Sequence, residues 1–279
     1  MTASDLHITS LQNPKIKQAL SLRDRSEREK TVQCLIEGYR EILRAVEANF
    51  QLNQLFYCPE LFLGENEPAL IQAIKAKGAA AYSCEPNVFK KISYRDRPDG
   101  LLAIGMQQRL SLKDLENTIL KPEKPPFLVI AESIEKPGNL GTILRSSDAV
   151  GADALIVCDK CTDLYNPNVV RASVGTLFTV PTAEAGSREC LDWLKQQGIA
   201  ILAATPAAVH EYTEVDLTKP VAIALGTEQY GLSNVWMKHA DLQVKIPMCG
   251  AADSLNVAMA TTVLLYEVLR QRRSQGKAP

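Results

Sequence analysis

Short apolar runs that alternate with helical patterns constrain this chain more than any other feature. Phe127-Leu128-Val129-Ile130-Ala131, Ala154 to Cys158, Ile199 to Ala203 and Val221 to Leu225 are unbroken apolar stretches, as expected of strands buried on both faces. Between them lie segments with helical spacing and helix stops: Asn139 to Val150 ending at Gly151, Asn168 to Gly175, Ser187 to Gln197 stopped by Gly198, and Val235 to His239. Further short strands are expected at Phe178-Thr179-Val180 and Leu242 to Ile246. A long helix is expected over Leu255 to Arg272, with Leu255, Met259, Val263 and Tyr266 along one stripe. Alternation of this kind predicts an α/β fold, a mostly parallel sheet covered on both faces. Pattern alone points to an open doubly wound sheet, because knotted chains are rare.

Ahead of this region stands Lys121-Pro122-Glu123-Lys124-Pro125-Pro126, whose prolines resist both helix and central strand. It reads as a stiff linker over 121–126. The preceding half repeats the alternation on a smaller scale. Helices are expected at Asn13 to Arg28, Glu37 to Ala48, Pro68 to Lys77 and Pro86 to Ile92, and strands at Cys34 to Ile36, Leu52 to Cys58, Ala79 to Cys84 and Gly100 to Gly105. The expected organisation is a small α/β domain over 1–120 and a second α/β domain over 127–279, which suits a chain of 279 residues.

Apolar residues at 46% and charged residues at 23% exclude collagen-like and disordered classes. No apolar run approaches the roughly 18 residues needed to span a bilayer, and Met1 to Ser10 lacks the pattern of a secretory leader. Seven cysteines without framework spacing suit reduced thiols in a cytoplasm. Cys158 and Cys161 form a lone C-x-x-C, but the only histidines, at 7, 210 and 239, are scattered, so no metal is expected and the pair reads as a strand end and a turn. Net charge is −1, with a local imbalance. The chain up to Lys121 carries 17 basic and 15 acidic residues, the remainder 14 and 17. Basic residues cluster over Lys15 to Lys30 and Lys90 to Arg97, and these are candidate phosphate contacts.

In a parallel α/β sheet, ligands bind at the carboxyl ends of strands. Three such ends carry unusual loops. Glu135-Lys136-Pro137-Gly138-Asn139-Leu140-Gly141 leads into a helix bearing Arg145, with Asn139 as an expected N-cap. Gly226-Thr227-Glu228-Gln229-Tyr230-Gly231-Leu232-Ser233 brackets a carboxylate with glycines. Pro247 to Val257 offers Asp253 or Ser254 as a cap for the last helix, with Asn256, a poor helix former, one turn in. No G-x-G-x-x-G follows the first of these strands and no phosphate-loop motif occurs, which argues against dinucleotide and P-loop sites.

Taken in order, N-x-G-x-x-x-R, L-G-x-E-x-x-G-L and I-P-M-x-G-x-x-x-S-L-N-V resemble the three motifs of the SpoU (TrmH) RNA 2′-O-ribose methyltransferases, over roughly Phe127 to Arg272. Arg171-Ala172-Ser173-Val174-Gly175 looks like the family's R-A-S-x-G element, and Val150 stands where an aromatic is usual. The resemblance implies a trefoil-knotted, parallel-sheet methyltransferase domain preceded by a small α/β, ribosomal-protein-like substrate-binding domain. It also implies a homodimer whose active site is shared across the interface, and S-adenosyl-L-methionine as cofactor. By the same resemblance Arg145 is catalytic, and because a guanidinium with a pKa above about 12 is a poor base, it would orient the 2′-hydroxyl and the adjacent phosphate. Asn139 would hold Arg145 or the ribose, Glu228 would fix Arg145 or the partner loop, and Ser254 and Asn256 would shape the same pocket. Thr205, Gly226, Ile246 and Leu255 would bind the cofactor. Ribosomal RNA is favoured over transfer RNA as substrate. The alternatives are a transfer RNA enzyme, a non-catalytic RNA-binding relative, and a small-molecule enzyme holding a nucleotide at the Gly138 to Gly141 turn.

Overall fold

The protein is described by a computed structural model over residues 6–119 and 124–276; Lys121, Pro122 and Glu123 of the expected linker lie outside the described residues. In chain order the elements are β1 (Leu6–Ile8), α1 (Pro14–Ser21), α2 (Arg25–Thr31), β2 (Gln33–Glu37), α3 (Tyr39–Glu47), β3 (Leu52–Tyr57), α4 (Glu67–Ala76), β4 (Ala80–Cys84), α5 (Pro86–Ile92), β5 (Leu101–Met106) and α6 (Leu112–Ile119). They continue with β6 (Phe127–Glu132), α7 (Pro137–Ala149), β7 (Ala154–Cys158), α8 (Pro167–Ala172), β8 (Thr182–Ala185), α9 (Ser187–Gln196), β9 (Ala200–Ala204), β10 (His210–Glu211), β11 (Val221–Leu225), α10 (Asn234–His239), β12 (Leu242–Lys245) and α11 (Val257–Ser274). Two compact units result: Met1–Gln108 with Asp163–Thr179, and Arg109–Thr162 with Val180–Pro279.

The first unit has a mixed sheet in the order β1-β4-β3-β5-β2, with β5 antiparallel to both of its neighbours. Its core joins Ile16, Leu22, Phe56, Phe89 and Leu102. The single helix expected over Asn13 to Arg28 is broken at Leu22 to Asp24, and Arg28 supplies the reason. Its guanidinium is almost fully buried, pairs with Asp163 at 2.7 Å, and donates to the carbonyls of Leu22 (2.9 Å) and Arg23 (2.6 Å), which an unbroken helix would have used internally. Arg28 is therefore a structural cation, not a phosphate contact.

The stretch Asp163–Thr179, although it follows β7 in the chain, belongs to this unit. The Tyr165 hydroxyl donates to the Gln108 carbonyl (2.7 Å) and accepts from its amide (2.8 Å). Arg44 donates to the Val174 carbonyl. Gly175 has φ +83°, and a Cβ there would stand 2.8 Å from the Glu41 Cα, so the R-A-S-x-G turn needs its glycine to lie against α3. Phe178 packs on Phe50 with ring centroids 4.6 Å apart. That packing overrides the strand expected at Phe178 to Val180: the chain makes a 3₁₀ turn over Thr176–Phe178, and the strand starts after Pro181 as β8.

The second unit is a seven-stranded sheet, β10-β12-β9-β11-β6-β7-β8, parallel at every pairing. Its core includes Leu128, Ile130, Ile156, Ile201 and Trp236. The chain builds outward from β6 through β7 to β8, then resumes on the other side of β6 and returns as β11, paired with β6 from Val221↔Phe127 to Leu225↔Ala131. Connections leave β6 and β11 in opposite directions, so the carboxyl ends of this pair form the crevice where such sheets take ligands. Helix α11 buries Leu264, Leu265, Val268 and Leu269 and turns the other face outward: Leu255 just ahead of it, Met259 at 62% and Tyr266 at 49% exposure.

Candidate active site

The three loops converge at this crevice. Helix α7 begins at Pro137, where the fixed φ of proline suits the first helical position. Asn139 is therefore not the N-cap; Lys136 occupies that position, and the Asn139 side chain is free to reach across. Its Nδ2 donates to Glu228 Oε1 at 2.7 Å, and its Oδ1 accepts from Asn256 Nδ2 at 3.2 Å. Glu228 also accepts from the backbone N–H groups of Glu135 and Lys136, both at 3.2 Å, at the positive end of α7. Asn256 turns out to be the N-cap of α11, its Oδ1 accepting from the amides of Ala258 (3.0 Å) and Met259 (3.4 Å). That position resolves the apparent misfit of an asparagine inside a helix, and neither Asp253 nor Ser254 caps α11. One continuous chain of hydrogen bonds, Glu228 to Asn139 to Asn256 to α11, thus ties the three loops together.

Partial burial opposes ionisation of Glu228. It is outweighed by the donated bonds from Asn139 and from the backbone amides of Glu228 itself, Glu135 and Lys136, which hold the carboxyl below the ordinary range. A carboxylate so held is a poor proton acceptor near neutrality; its work is to clamp the loops.

Beside this clamp lies a cavity of ≈ 550 Å³, within the size range of small-molecule and cofactor sites. Thr205, Gly226, Ile246 and Leu255 line it, as do Glu228, Ser254 and Asn256, with apolar walls from Leu225, Leu232 and Val244. Gly226 is required sterically: a Cβ there would overlap the Gly231 carbonyl and the Leu232 amide, which are main-chain atoms that cannot swing aside. Thr227 and Gly231 exchange backbone bonds of 3.0 Å, which closes the turn over the cavity floor. An adenosyl group with an amino-acid tail fits this combination of volume, apolar wall and close main chain.

Two expected site residues stand apart. Asn139 contributes to the clamp and does not line the cavity. Arg145 is exposed on α7, does not line the cavity and has no hydrogen-bond or ion-pair partner among the described residues; Asn139 and Glu228 are engaged with each other and the loop backbones. Helices α7 and α11 are joined by a 2.7 Å bond between Ser146 Oγ and Thr262 Oγ1.

One contributor escaped the motif reading. Glu132, at the end of β6, is buried and accepts from the Ser233 amide at 2.8 Å. It also accepts from the Ser187 hydroxyl at 3.4 Å, which in turn accepts from the Trp236 indole at 2.9 Å. It anchors the far end of the Gly226 to Ser233 loop. A carboxylate closing an otherwise apolar strand was the available signal. Cys158 and Cys161 behave as a strand end and a turn. Cys158 is buried, and its hydrogen bond with Cys190, together with burial, pushes its thiol up, while Cys161 is exposed. Among the described residues no helix is long and apolar enough to cross a membrane.

A parallel sheet with a switch-point cavity closed by three interlocked loops defines a cofactor-binding α/β domain. Comparison with known proteins narrows the class. Residues 126–266 match the SpoU rRNA Methylase family, and residues 13–103 match the MRM3-like substrate binding domain. A 23S rRNA (uridine(2479)-2′-O)-methyltransferase of Streptomyces viridochromogenes is 33% identical over 92% of this chain and 89% of its own length. The structure of an AdoMet-bound rRNA methyltransferase from Sinorhizobium meliloti superposes with a TM-score of 0.85 at 30% identity, covering 96% of this chain and 97% of that one. The SpoU methyltransferase AviRb from Streptomyces viridochromogenes, in complex with AdoMet, gives 0.83 at 30% identity, over 94% and 100% of the two chains. The chain belongs to the SpoU rRNA methylase family, with a methyltransferase domain preceded by a small α/β substrate-binding domain.

Proposed function

We propose that the chain is an S-adenosyl-L-methionine-dependent RNA 2′-O-ribose methyltransferase acting on ribosomal RNA. The observation that carries this reading is the clamp of Glu228, Asn139 and Asn256 beside a cavity lined by Thr205, Gly226, Ile246 and Leu255. The family match and the rRNA activities named for its relatives support it. Bound S-adenosylmethionine supplies an electrophilic methyl group. The chain's own residues do the rest. Gly226 and its turn admit the cofactor close to the main chain, Leu255 and Ile246 offer it apolar contact, and Ser254 with Asn256 shapes the mouth. Arg145 binds the 2′-hydroxyl and its adjacent phosphate through its planar fork, with the proton passing to that phosphate or to water.

Arg145 does not line its own chain's cavity, and both polar ends of Asn139 are engaged. These facts favour a site completed by a second copy. The exposed stripe of Leu255, Met259 and Tyr266 is apolar surface that a symmetric dimer would bury. The proposal therefore includes a homodimer, the family's trefoil knot, a cytoplasmic location and no metal requirement. Residues 1–120 bind RNA, 121–126 link and 127–279 carry the chemistry, except that Asp163–Thr179 belongs with the first unit and α6 with the second. Comparing alkali-resistant ribose positions in total RNA from cells with and without the gene tests the reading. One or more ribosomal RNA positions should lose protection; an unchanged ribosomal RNA pattern would refute it.

A further inference from the structure

In the turn from Gly226 to Gly231, most residues work within the turn or hold the neighbouring loops. Gly226 admits the close main chain of Gly231. Thr227 exchanges backbone bonds with Gly231 at 3.0 Å. Its hydroxyl accepts from the Tyr230 amide at 2.9 Å and donates to the Gly231 carbonyl at 3.4 Å. Glu228 clamps the Asn139 loop, and Gly231 supplies the left-handed φ of +69° that ends the turn. The side chains of Gln229 and Tyr230 take no part: both are exposed and make no hydrogen bond among the described residues.

Tyr230 combines two properties that conflict. Among the described residues it is the only aromatic one that lines the ≈ 550 Å³ cofactor cavity, yet it is 80% exposed. The Thr227 hydroxyl and the Gly231 main chain fix the backbone beneath it, so the ring stands at the rim of the cavity on a braced support. Burial of a tyrosine ring is favourable, and nothing within its own unit covers this one. A flat partner arriving from solution would.

The reaction brings such a partner to this place. The base and the 2′-oxygen of a nucleotide sit on adjacent carbons of one ribose. A ribose that presents its 2′-oxygen to the cofactor cavity therefore leaves its base at the cavity's rim. That base has given up a stacking neighbour in the RNA, and an aromatic side chain replaces it. We propose that the Tyr230 ring stacks on the base of the nucleotide that is methylated, and so holds the ribose with its 2′-oxygen turned inward. Stacking reads a π-face and not a hydrogen-bonding edge, so Tyr230 positions the nucleotide without choosing among the four bases. The inference rests on the reading of the chain as an RNA 2′-O-methyltransferase and adds a substrate-holding residue to its site.

The test uses the full chain and 23S ribosomal RNA, with S-adenosylhomocysteine present so that binding is read without turnover, by filter retention over a salt series. Tyr230→Ala should weaken binding by about five- to a hundredfold, the range for loss of one base–aromatic stack. The salt slope should not change, because no phosphate contact is lost. Tyr230→Phe and Tyr230→Trp should bind as wild type does, and Tyr230→Leu should fail as Ala does, a pattern that a merely apolar or structural role would not give. RNA ligated to carry a ribose without its base at the methylated position, mapped by alkali resistance, should bind wild type as weakly as intact RNA binds Tyr230→Ala. The variant should lose little more on that RNA. Equal RNA affinity of wild type and Tyr230→Ala, rescue by Leu, or additive losses on the baseless RNA would each overturn the stack. So would a loss of S-adenosylhomocysteine affinity in calorimetry or of the dimer in light scattering, which would make the ring a cofactor cover or a subunit contact. Methyl incorporation into 23S ribosomal RNA by wild type, measured in parallel, separates the two readings. Its failure refutes the enzyme assignment and this one with it; its success beside an unaffected Tyr230→Ala refutes the stack alone.

Discussion

Replacing Glu228 with Gln probes the clamp that organises the candidate active site. The wild-type carboxylate accepts three bonds from outside its own loop, from Asn139 and from the amides of Glu135 and Lys136. Bonds to a charged acceptor contribute about 1.5–3 kcal/mol each when shielded. Glu228 is only half-buried, so solvent screening reduces this, and the amide oxygen of Gln retains part of the set while its NH₂ faces a donor. The expected loss is about 1–2 kcal/mol. Because the clamped loops line the cavity, the loss falls on preorganisation and should weaken cofactor binding by roughly five- to thirtyfold. Titration calorimetry with S-adenosylmethionine reads this directly. The carboxyl is held below its ordinary range, so its stabilisation is present above about pH 4.3, the unfolded value, and is lost as pH falls through the lower folded value. The melting-temperature gap between wild type and Glu228→Gln should be constant near neutrality and close on acidification. Equal cofactor affinity in the two proteins, or a gap that widens toward low pH, would refute the clamp.

Four further outcomes follow from the same geometry. Gly226→Ala should abolish cofactor binding while the fold persists, because its Cβ would overlap the Gly231 main chain; a bound variant seen by calorimetry would contradict the close approach. Arg145→Ala should slow single-turnover methyl transfer by on the order of a hundredfold or more with cofactor affinity unchanged, and Arg145→Lys should fail nearly as badly if the planar fork matters; full rescue by Lys would leave charge alone as its contribution. Met259→Asp should turn a dimer into a monomer of 30.6 kDa by light scattering, and a monomeric wild type would remove the shared site. Arg272 is buried and donates to the carbonyls of Pro125 (2.7 Å), Lys219 (2.9 Å) and Pro126 (3.0 Å). Arg272→Met should therefore lower stability by about 1–3 kcal/mol in denaturant titration, since it leaves those part-buried carbonyls without their donor; a near-neutral effect would contradict this account of how the end of α11 is held.

The strands of the second unit were legible because central parallel strands are apolar throughout: β7 and β11 fall where the runs at Ala154 and Val221 place them. Of the edge strands, β2 was legible as the apolar run Cys34 to Ile36, and the others were not. β1 and β10 are too short and too exposed to carry a pattern, and β8, Thr-Ala-Glu-Ala, has little strand character of its own. Tertiary partners moved other boundaries. Arg28 broke the first helix by claiming its carbonyls, and Phe50 held Phe178 out of the strand expected there. Within the site, loop identity was readable from Gly226, Glu228 and Asn256, whereas the partners were not: spacing along the chain does not tell that Asn139 faces Glu228, or that Asn256 is a cap. The path of Asp163–Thr179 into the N-terminal unit also left no local trace, because Asp163 and Tyr165 are anchored by residues more than fifty positions away.

The central claim is tested most directly by the chemical position of the transferred methyl group. The purified chain is incubated with methyl-labelled S-adenosylmethionine and 23S ribosomal RNA, and the RNA is hydrolysed in alkali. The account predicts label in alkali-resistant dinucleotides, released on further digestion as a 2′-O-methylnucleoside, appearing on the order of a hundredfold or more slowly with Arg145→Ala. Label on a base, or in transfer RNA but not ribosomal RNA, would contradict it.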